Sequence, residues 1–375
     1  MANTSPFPAE DAYAAARAAV AWADSSDHGW LRLAGRDRLD FLQRLSTNDF
    51  RKLTPGGGLP AVLCSATGRV IAPLIVYAAD AALWLRTPPG RAAALAAYFS
   101  RLIFWNDEVE VSDESAGTAQ FGLFGPAAVH LLARLLDDPE LARSETGQSS
   151  AARPETGQSN AARPETGQSS AARSETGQSG PSLFDQPYGW RGREIAGSPV
   201  TVQRGGDLEV AAWTVVAPAA GADALCAQLA ENAPQLTPGQ VEILRVERGI
   251  PAWGHELSDQ VTPLEAGLRA AISDNKGCYT GQEVIARQLN YDKVTRRLAG
   301  LRLPADAPVA ELVGATVGAG KGRGGFIGTA VWSPALAGPI ALAILPRDLC
   351  QPGTVVFVKQ GDAELAAEVV ELPFA

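Results

Sequence analysis

The first third of the chain alternates between helical and strand-like hydrophobic patterns. Residues 10–23 combine alanines with apolar positions at helical spacing, which predicts an amphipathic helix, and residues 30–33 are expected to form a short strand. Two further apolar runs, 61–64 and 70–77, flank a polar Ser-Ala-Thr-Gly-Arg segment, so a β-hairpin is expected there. Helices interspersed with paired strands predict mixed α/β layers in this part of the protein.

The C-terminal tail follows a different pattern, in which short apolar stretches are separated by glycine and proline and no helical spacing appears. Such evenly spaced strands predict a small β-barrel. The expected strands are 299–303, 326–332, 340–345, 354–358 and 364–370. Residues 320–325 contain G-x-G-x-x-G, but a strand follows them instead of the helix whose N-terminus would hold a phosphate. We therefore expect a hairpin tip here and no nucleotide site.

A repeated segment interrupts these patterns. Residues 143–180 contain four copies of a ten-residue unit of the form R-x-E-T-G-Q-S, and none of them carries a large apolar side chain. Without apolar surface to bury, such a segment cannot offset the entropy lost on ordering. The sequence therefore predicts a disordered surface insert without a catalytic role.

Composition and charge narrow the classes of partner. A chain of 375 residues is long enough for two or three domains, and its net charge of -9 argues against general binding of nucleic acid or of an anionic membrane. The four cysteines are far apart and the three histidines lack ligand spacing, so neither disulfides nor a metal site is predicted. The N-terminal residues lack a basic start followed by an apolar core, and no apolar run spans a bilayer, which predicts a cytoplasmic protein.

The stretch that most clearly indicates a reactive side chain is residues 274–288, with the sequence D-N-K-G-C-Y-T-G-Q-E-V-I-A-R-Q. Thr280 and Glu283 have the spacing of a capping box, which predicts a helix beginning near Thr280. Cys278 would lie just before that helix, with Lys276 two residues further back. The N-terminus of the helix and the Lys276 ammonium group both favour thiolate over thiol. We therefore predict a reactive Cys278 assisted by Lys276, with a well-capped helix and an incidental cysteine as the alternative.

Several segments of the chain resemble one protein family. K-G-C-Y-T-G-Q-E, residues 276–283, resembles the signature of the YgfZ family of folate-binding proteins, which are relatives of the glycine-cleavage T-protein (aminomethyltransferase). The run from residue 31 to 49 is similar to the first folate-domain motif of these proteins, and residues 244–251 are similar to their R-x-E-x-G segment. This resemblance covers nearly the whole chain outside the repeats.

The resemblance implies an α+β fold in which three domains surround a central opening. Two of them would be mixed α/β domains that exchange segments, and the third would be the C-terminal β-barrel. The expected division is 1–52 with 117–249 for the first domain, 53–116 with 250–292 for the second, which carries the cysteine motif, and 293–375 for the barrel.

The resemblance also implies tetrahydrofolate, or a one-carbon derivative of it, as the cofactor. Glu247 would bind the pterin, because one carboxylate can accept both N–H donors of an aminopyrimidinone edge. Without a ligand, Glu247 would simply be exposed or paired with Arg248. Further folate contacts are expected from the same resemblance at Asn48, Asp49, Arg245, Tyr279, Gln282, Glu283 and Arg287.

The resemblance implies either an aminomethyltransferase or an accessory factor, and the residues at positions 72 and 73 distinguish the two. Aminomethyltransferases are expected to carry an acidic pair where this chain has Ala72 and Pro73, and neither residue can assist proton transfer. The favoured function is therefore that of an accessory factor for iron–sulfur cluster assembly or repair in client enzymes, including tRNA-modifying ones, in which Cys278 acts. The chain lacks the cysteines to hold a cluster alone, so iron–sulfur client or carrier proteins are the expected partners besides folate.

Three alternatives remain open at this stage. The first is a folate-dependent aminomethyltransferase or another one-carbon transferase or demethylase. The second is a module that senses folate without chemistry. The third is a cysteine hydrolase, for which no histidine is placed by the sequence to act as base.

Overall fold

The computed structural model describes residues 9–139, 141–142, 186–319, 324–360 and 363–374. In these ranges two five-stranded antiparallel sheets, each with helices packed on it, are followed by a closed six-stranded barrel. The predicted α+β class with a C-terminal barrel is confirmed. The predicted insert at 143–180 lies outside the described residues.

The helices and strands are numbered in chain order. The helices are α1 (Ala9–Ala18), α2 (Arg38–Leu45), α3 (Ala92–Ser100), α4 (Ala128–Leu135), α5 (Ala222–Asn232), α6 (Pro238–Glu247) and α7 (Gln282–Asn290). The strands are β1 (Ala21–Asp24), β2 (His28–Ala34), β3 (Gly58–Cys64), β4 (Val70–Ala78), β5 (Ala82–Pro89), β6 (Glu110–Asp113), β7 (Thr118–Phe124), β8 (Trp190–Ile195), β9 (Ser198–Arg204), β10 (Trp213–Pro218), β11 (Arg296–Arg302), β12 (Thr316–Gly318), β13 (Gly325–Ser333), β14 (Gly338–Pro346), β15 (Val355–Gln360) and β16 (Ala363–Val370).

The first sheet has the strand order β1-β7-β10-β9-β8. Trp22 and Trp213 are buried in its core, where they pack with Leu132 of α4 and Leu229 of α5. The helix predicted over 10–23 ends at Ala18, because the following residues pair with β7 as strand β1. Pairing to a central strand overrides the helical propensity of the alanines.

The second sheet has the order β3-β4-β5-β2-β6 and contains the predicted hairpin as β3 and β4. Leu31 and Leu33 of β2 pack against Phe41 of α2 and Phe99 of α3. Residues 28–45 therefore belong with this sheet, whereas the expected boundary at residue 52 assigned them to the first domain. The physical reason is that β2 pairs along its length with β5 and buries its apolar face in the second core.

The C-terminal barrel closes in the order β11-β14-β13-β12-β15-β16. Its interior is filled by small and branched apolar residues, including Leu301, Val317 and Val369. Strand β12 pairs antiparallel with β13, so a strand follows the G-x-G-x-x-G segment as expected. Residues 320–323 of that segment lie outside the described ranges.

Candidate functional site

A central cavity lies between the two sheets and α6. It has a volume of about 190 Å³ and is partly open to solvent. Much of its wall is apolar and comes from both sheets and the segment after α6, with contributions from Leu74, Phe124, Val241, Trp253 and Leu257. A concave apolar site with a few convergent polar groups is the usual form of a small-molecule site.

The polar part of the cavity wall includes a buried ion pair. Arg86 Nη1 donates to Glu209 Oε1 at 2.6 Å, and both residues are less than 10% exposed. Arg86 Nε also donates to Gln120 Oε1 at 3.0 Å, which fixes the guanidinium. Burial raises the pKa of Glu209 above its usual value, while Arg86 acts in the opposite direction. The cavity therefore holds a carboxylate and a guanidinium that are both largely removed from water.

Glu209 reaches the cavity because the chain is not yet a strand at that point. Residues 208–216 read as one strand in the sequence, but β10 begins only at Trp213. The preceding loop places Leu208, Glu209 and Val210 in the cavity wall. Neither Glu209 nor Arg86 is among the site residues predicted from the sequence, although an acidic residue inside an apolar run is a usable signal for a buried functional carboxylate.

Arg245 and Glu247 of α6 point to different places. Arg245 lines the cavity, and its guanidinium donates to Glu256 Oε2 at 3.0 Å and to Thr329 Oγ1 at 2.7 Å, as well as to Glu242. Each residue of an α-helix advances about 100° around the axis, so positions i and i+2 lie about 200° apart. The side chains of an R-x-E pair therefore cannot share one face of the helix. Arg245 and Glu247 therefore face different sides of α6 and cannot both contact one ligand in the cavity.

Glu247 is almost completely buried away from the residues that line the cavity. Its carboxylate accepts hydrogen bonds from Tyr13 Oη at 2.5 Å, Arg17 Nη1 at 2.8 Å and Ser333 Oγ at 2.6 Å. These bonds join α6 to α1 and to barrel strand β13. In this arrangement Glu247 connects domains, and its predicted role on a pterin has no support from its position.

The signature loop, residues 274–281, packs on the hairpin of the second sheet and on the end of α2. Helix α7 begins at Gln282, close to the predicted start, but its N-cap is Gly281 at φ +84°. The predicted capping box is wrong: no side chain caps the helix, and Glu283 instead pairs with Arg287 at 3.0 Å. Gly281 lies so close to the hairpin that a Cβ there would be 2.5 Å from the Ser65 carbonyl oxygen. This long-range contact sets the start of the helix.

Lys276 is buried under the signature loop. Its Nζ donates to the carbonyl oxygens of Ser46 at 2.6 Å and Asn48 at 2.5 Å, where α2 ends. The nitrogen also lies 5.1 Å from the centre of the Tyr279 ring. Burial lowers the pKa of Lys276 to about 8. The ammonium thus anchors the loop to α2, and among the described residues no hydrogen bond joins it to Cys278.

Cys278 itself is exposed on the signature loop. The other cysteines are distributed elsewhere: Cys64 is buried, and Cys226 and Cys350 are half-buried. In the part of the chain that the structure describes, no group of three or more His, Cys, Asp or Glu side chains is placed to hold a metal ion. Cys278 is therefore a surface thiol outside the cavity wall.

The other predicted contact residues lie around the signature loop or along α7. Asn48 Nδ2 donates to the carbonyl oxygens of Pro60 and Ala270, and Asp49 accepts from Arg51, whose hydrogen bond is the main cause of the lowered pKa of Asp49. Gln282 Nε2 reaches the Lys276 carbonyl oxygen at 3.5 Å. Of the predicted site residues within the described ranges, only Arg245 lines the central cavity.

No helix in the described ranges is long and apolar enough to cross a bilayer.

Comparisons with known proteins agree with this architecture. The profile of the GCVT N-terminal domain matches residues 6–162, and that of the glycine cleavage T-protein C-terminal barrel domain matches residues 296–375. An aminomethyltransferase of Geobacillus kaustophilus is 30% identical over 363 residues, which cover 94% of this chain and 86% of the relative. A putative chloroplastic transferase of Arabidopsis thaliana is 30% identical over 285 residues, 75% of this chain but only 56% of the relative.

The solved structure of the glycine cleavage system aminomethyltransferase T from Bartonella henselae shares the fold. It superposes with a TM-score of 0.75 at 19% identity and covers 99% of this chain and 90% of that one. The molecule is thus a mixed α/β protein with a C-terminal barrel of the T-protein type. The chain belongs to the glycine cleavage T-protein family, as the resemblance implied. Membership of its YgfZ branch stays a prediction.

Proposed function

We propose that the protein binds tetrahydrofolate in its central cavity and acts in folate-dependent one-carbon transfer. The observation that carries this proposal is the Arg86–Glu209 pair, which places a buried carboxylate in an otherwise largely apolar cavity. The aminopyrimidinone edge of a pterin presents neighbouring N–H donors, and a carboxylate can accept both. The apolar wall would then cover the faces of the ring.

Family membership supports the same ligand class. Relatives that align along most of their length with this chain are named aminomethyltransferases. In this proposal Glu209, rather than the predicted Glu247, is the acid that contacts the pterin, because the Glu247 carboxylate is already occupied by Tyr13, Arg17 and Ser333. Arg245 positions the cavity wall through its bond to the carbonyl oxygen of Ile250 at 2.5 Å.

Calorimetric titration of tetrahydrofolate under reducing, oxygen-free conditions tests this proposal. We expect the wild type to bind and Glu209→Gln to bind at least about tenfold more weakly, because a charge-assisted hydrogen bond is worth about 1.5–3 kcal/mol. Glu247→Gln is the matched control, since it removes a buried carboxylate outside the cavity. Absence of binding by the wild type, or equal losses in the two variants, would contradict the proposal.

A second candidate function is favoured by the surroundings of Cys278. The signature loop displays this thiol on the surface, while the cavity hairpin presents Pro73 where an acid would assist transfer. We therefore also propose the predicted accessory role in iron–sulfur cluster assembly or repair, in which the thiol acts on a cluster or a sulfur species carried by a partner.

Exposed aromatic residues near the signature loop support a partner-binding surface. The main-chain amide of Thr280 donates to the carbonyl oxygen of Arg44, and the Arg44 guanidinium lies 4.9 Å from the Phe104 ring centre. Phe104 is 61% exposed and the adjacent Trp105 is 99% exposed. Large exposed aromatic side chains are common at protein–protein interfaces.

Complementation of a deletion strain separates the two candidates. If the accessory role is correct, wild type restores iron–sulfur enzyme activity and Cys278→Ala does not, while Cys226→Ala serves as the control for loss of a cysteine elsewhere. Full restoration by Cys278→Ala would eliminate the role of the thiol. Turnover of an aminomethyl donor by the purified protein would instead favour the transferase.

A further inference from the structure

His28 lies in the wall of the central cavity. Strand β2 begins at this residue, and the pairing with β5 brings it close to Arg86, which lies opposite Trp30. Gln120 connects the two, because its Nε2 donates to the His28 carbonyl oxygen at 2.8 Å and its Oε1 accepts from Arg86. The charge of Arg86 acts on the His28 ring, so the imidazole lies near the ion pair, and recognition of the pterin by Glu209 does not involve it.

The Nδ1 atom of His28 is held by two acceptors. It lies 3.1 Å from Asp27 Oδ1 and 3.2 Å from the Ser25 carbonyl oxygen. Since neither acceptor can donate, Nδ1 carries the hydrogen, and in a neutral ring the lone pair is then on Nε2. Among the described residues Nε2 has no hydrogen-bond partner.

The charges around His28 favour the neutral ring. Burial lowers the pKa of His28 most, and Arg86 acts in the same direction, while Asp27 opposes both. The other charged groups in the cavity wall are Glu209, which is paired with Arg86, and Arg245, whose guanidinium is bound to glutamates. An unperturbed histidine has a pKa of about 6.5, so at pH 7 this one presents an acceptor nitrogen.

We infer that His28 is a hydrogen-bond acceptor for the ligand of the central cavity, with Nε2 accepting an N–H group and Asp27 acting as a positioning residue that fixes the tautomer. This inference rests on the proposed function, in which the ligand is a reduced pterin with several N–H donors. No covalent bond changes: the N–H group exchanges a hydrogen bond to water for one to the imidazole. Glu209 and His28 then recognise two parts of the same donor-rich ring.

Titration of tetrahydrofolate between pH 5.5 and 8.0 tests the inference. In the wild type the dissociation constant should rise about tenfold per pH unit once the pH falls below the pKa of His28, because the protonated ring has no acceptor. His28→Gln should bind about tenfold more weakly at pH 8. It should also lack the rise of the dissociation constant at low pH that depends on His28, so that only the titration of Glu209 and of the ligand remains. Asp27→Asn removes a charge that favours the imidazolium, so in this variant the rise of the dissociation constant should begin at a lower pH than in the wild type.

The exposed His130 on α4 provides the matched control variant, His130→Gln, which should follow the wild-type profile. Parallel profiles for the wild type and His28→Gln would overturn the inference and leave the folate proposal standing. Absence of binding by the wild type at every pH would overturn both.

Nitrogen-15 spectra of the wild type give a readout that does not depend on a variant. With three histidines in the chain, each ring is readily resolved. We expect the Nδ1–H tautomer for His28 and a change in its Nε2 shift when tetrahydrofolate is added. An Nε2–H tautomer, or no change on binding, would overturn the inference.

Discussion

The central cavity and the signature loop each bury a basic side chain, but they use it differently. In the cavity Arg86 holds a carboxylate, Glu209, beside open space. Under the signature loop Lys276 donates to main-chain carbonyl oxygens at the end of α2, and the described residues offer its ammonium no carboxylate partner within hydrogen-bond distance. The first arrangement leaves polar groups available to a small molecule, while the second fixes a loop in place.

The central cavity and the signature loop are therefore suited to different kinds of partner. A buried carboxylate in a largely apolar cavity can select a ligand by its N–H donors, which is recognition of a small molecule. The signature loop is anchored to the end of α2 through Lys276 and leaves Cys278 exposed. Its thiol is accessible to a macromolecular partner that could not enter the cavity.

The largest expected effect comes from breaking the cavity pair. Arg86→Met leaves Glu209 buried without its partner, which typically costs about 3–5 kcal/mol. Urea unfolding at pH 7 measures the loss. Because burial already raises the pKa of Glu209, removal of Arg86 should raise it further. The loss should then become smaller as the pH falls and Glu209 binds a proton.

A double variant and a surface control make this prediction specific. Arg86→Met with Glu209→Gln should recover part of the stability, since the uncompensated charge is gone. Arg51→Met removes a cation near the signature loop whose side chain is 59% exposed and pairs with Asp49, and it should change stability little. A double variant no more stable than Arg86→Met alone would contradict the interpretation of the two residues as one unit.

Much of the fold was predictable because its signals are local. The hairpin of β3 and β4 shows two apolar runs around a polar turn, and α5 carries its buried leucines, Leu225 and Leu229, at helical spacing. The barrel was likewise visible in the short strands separated by glycine and proline. Each of these elements buries the face that its own sequence pattern defines.

The site was harder to predict because it depends on contacts between distant segments. Glu209 becomes a cavity residue only because β10 pairs with β7 from Trp213 onward. The predicted role of Glu247 rested on a motif, although the helical geometry of α6 already separates it from Arg245. Conversely, the capping box at Thr280 satisfied the local rules and still failed, because the hairpin at Ser65 forces Gly281 into the left-handed region.

A smaller effect is expected from disturbing the signature loop. Gly281→Ala places a Cβ against the Ser65 carbonyl oxygen and requires a side chain at φ +84°, which together should cost about 2 kcal/mol. Gly277→Ala is the matched control in the same loop, since no atom lies within 4 Å of its Cβ position and its φ is not left-handed. Urea unfolding compares the two variants.

Two further measurements on the same pair test whether the loop and the cavity are independent. The rate at which a disulfide reagent modifies Cys278 should change in Gly281→Ala and remain near the wild-type rate in Gly277→Ala, because only the first displaces the loop. Folded Gly281→Ala should nevertheless bind tetrahydrofolate as the wild type does, since no residue from 274 to 283 lines the cavity in the described structure. A loss of binding that accompanies the change in thiol reactivity would mean that the signature loop and the cavity form one site.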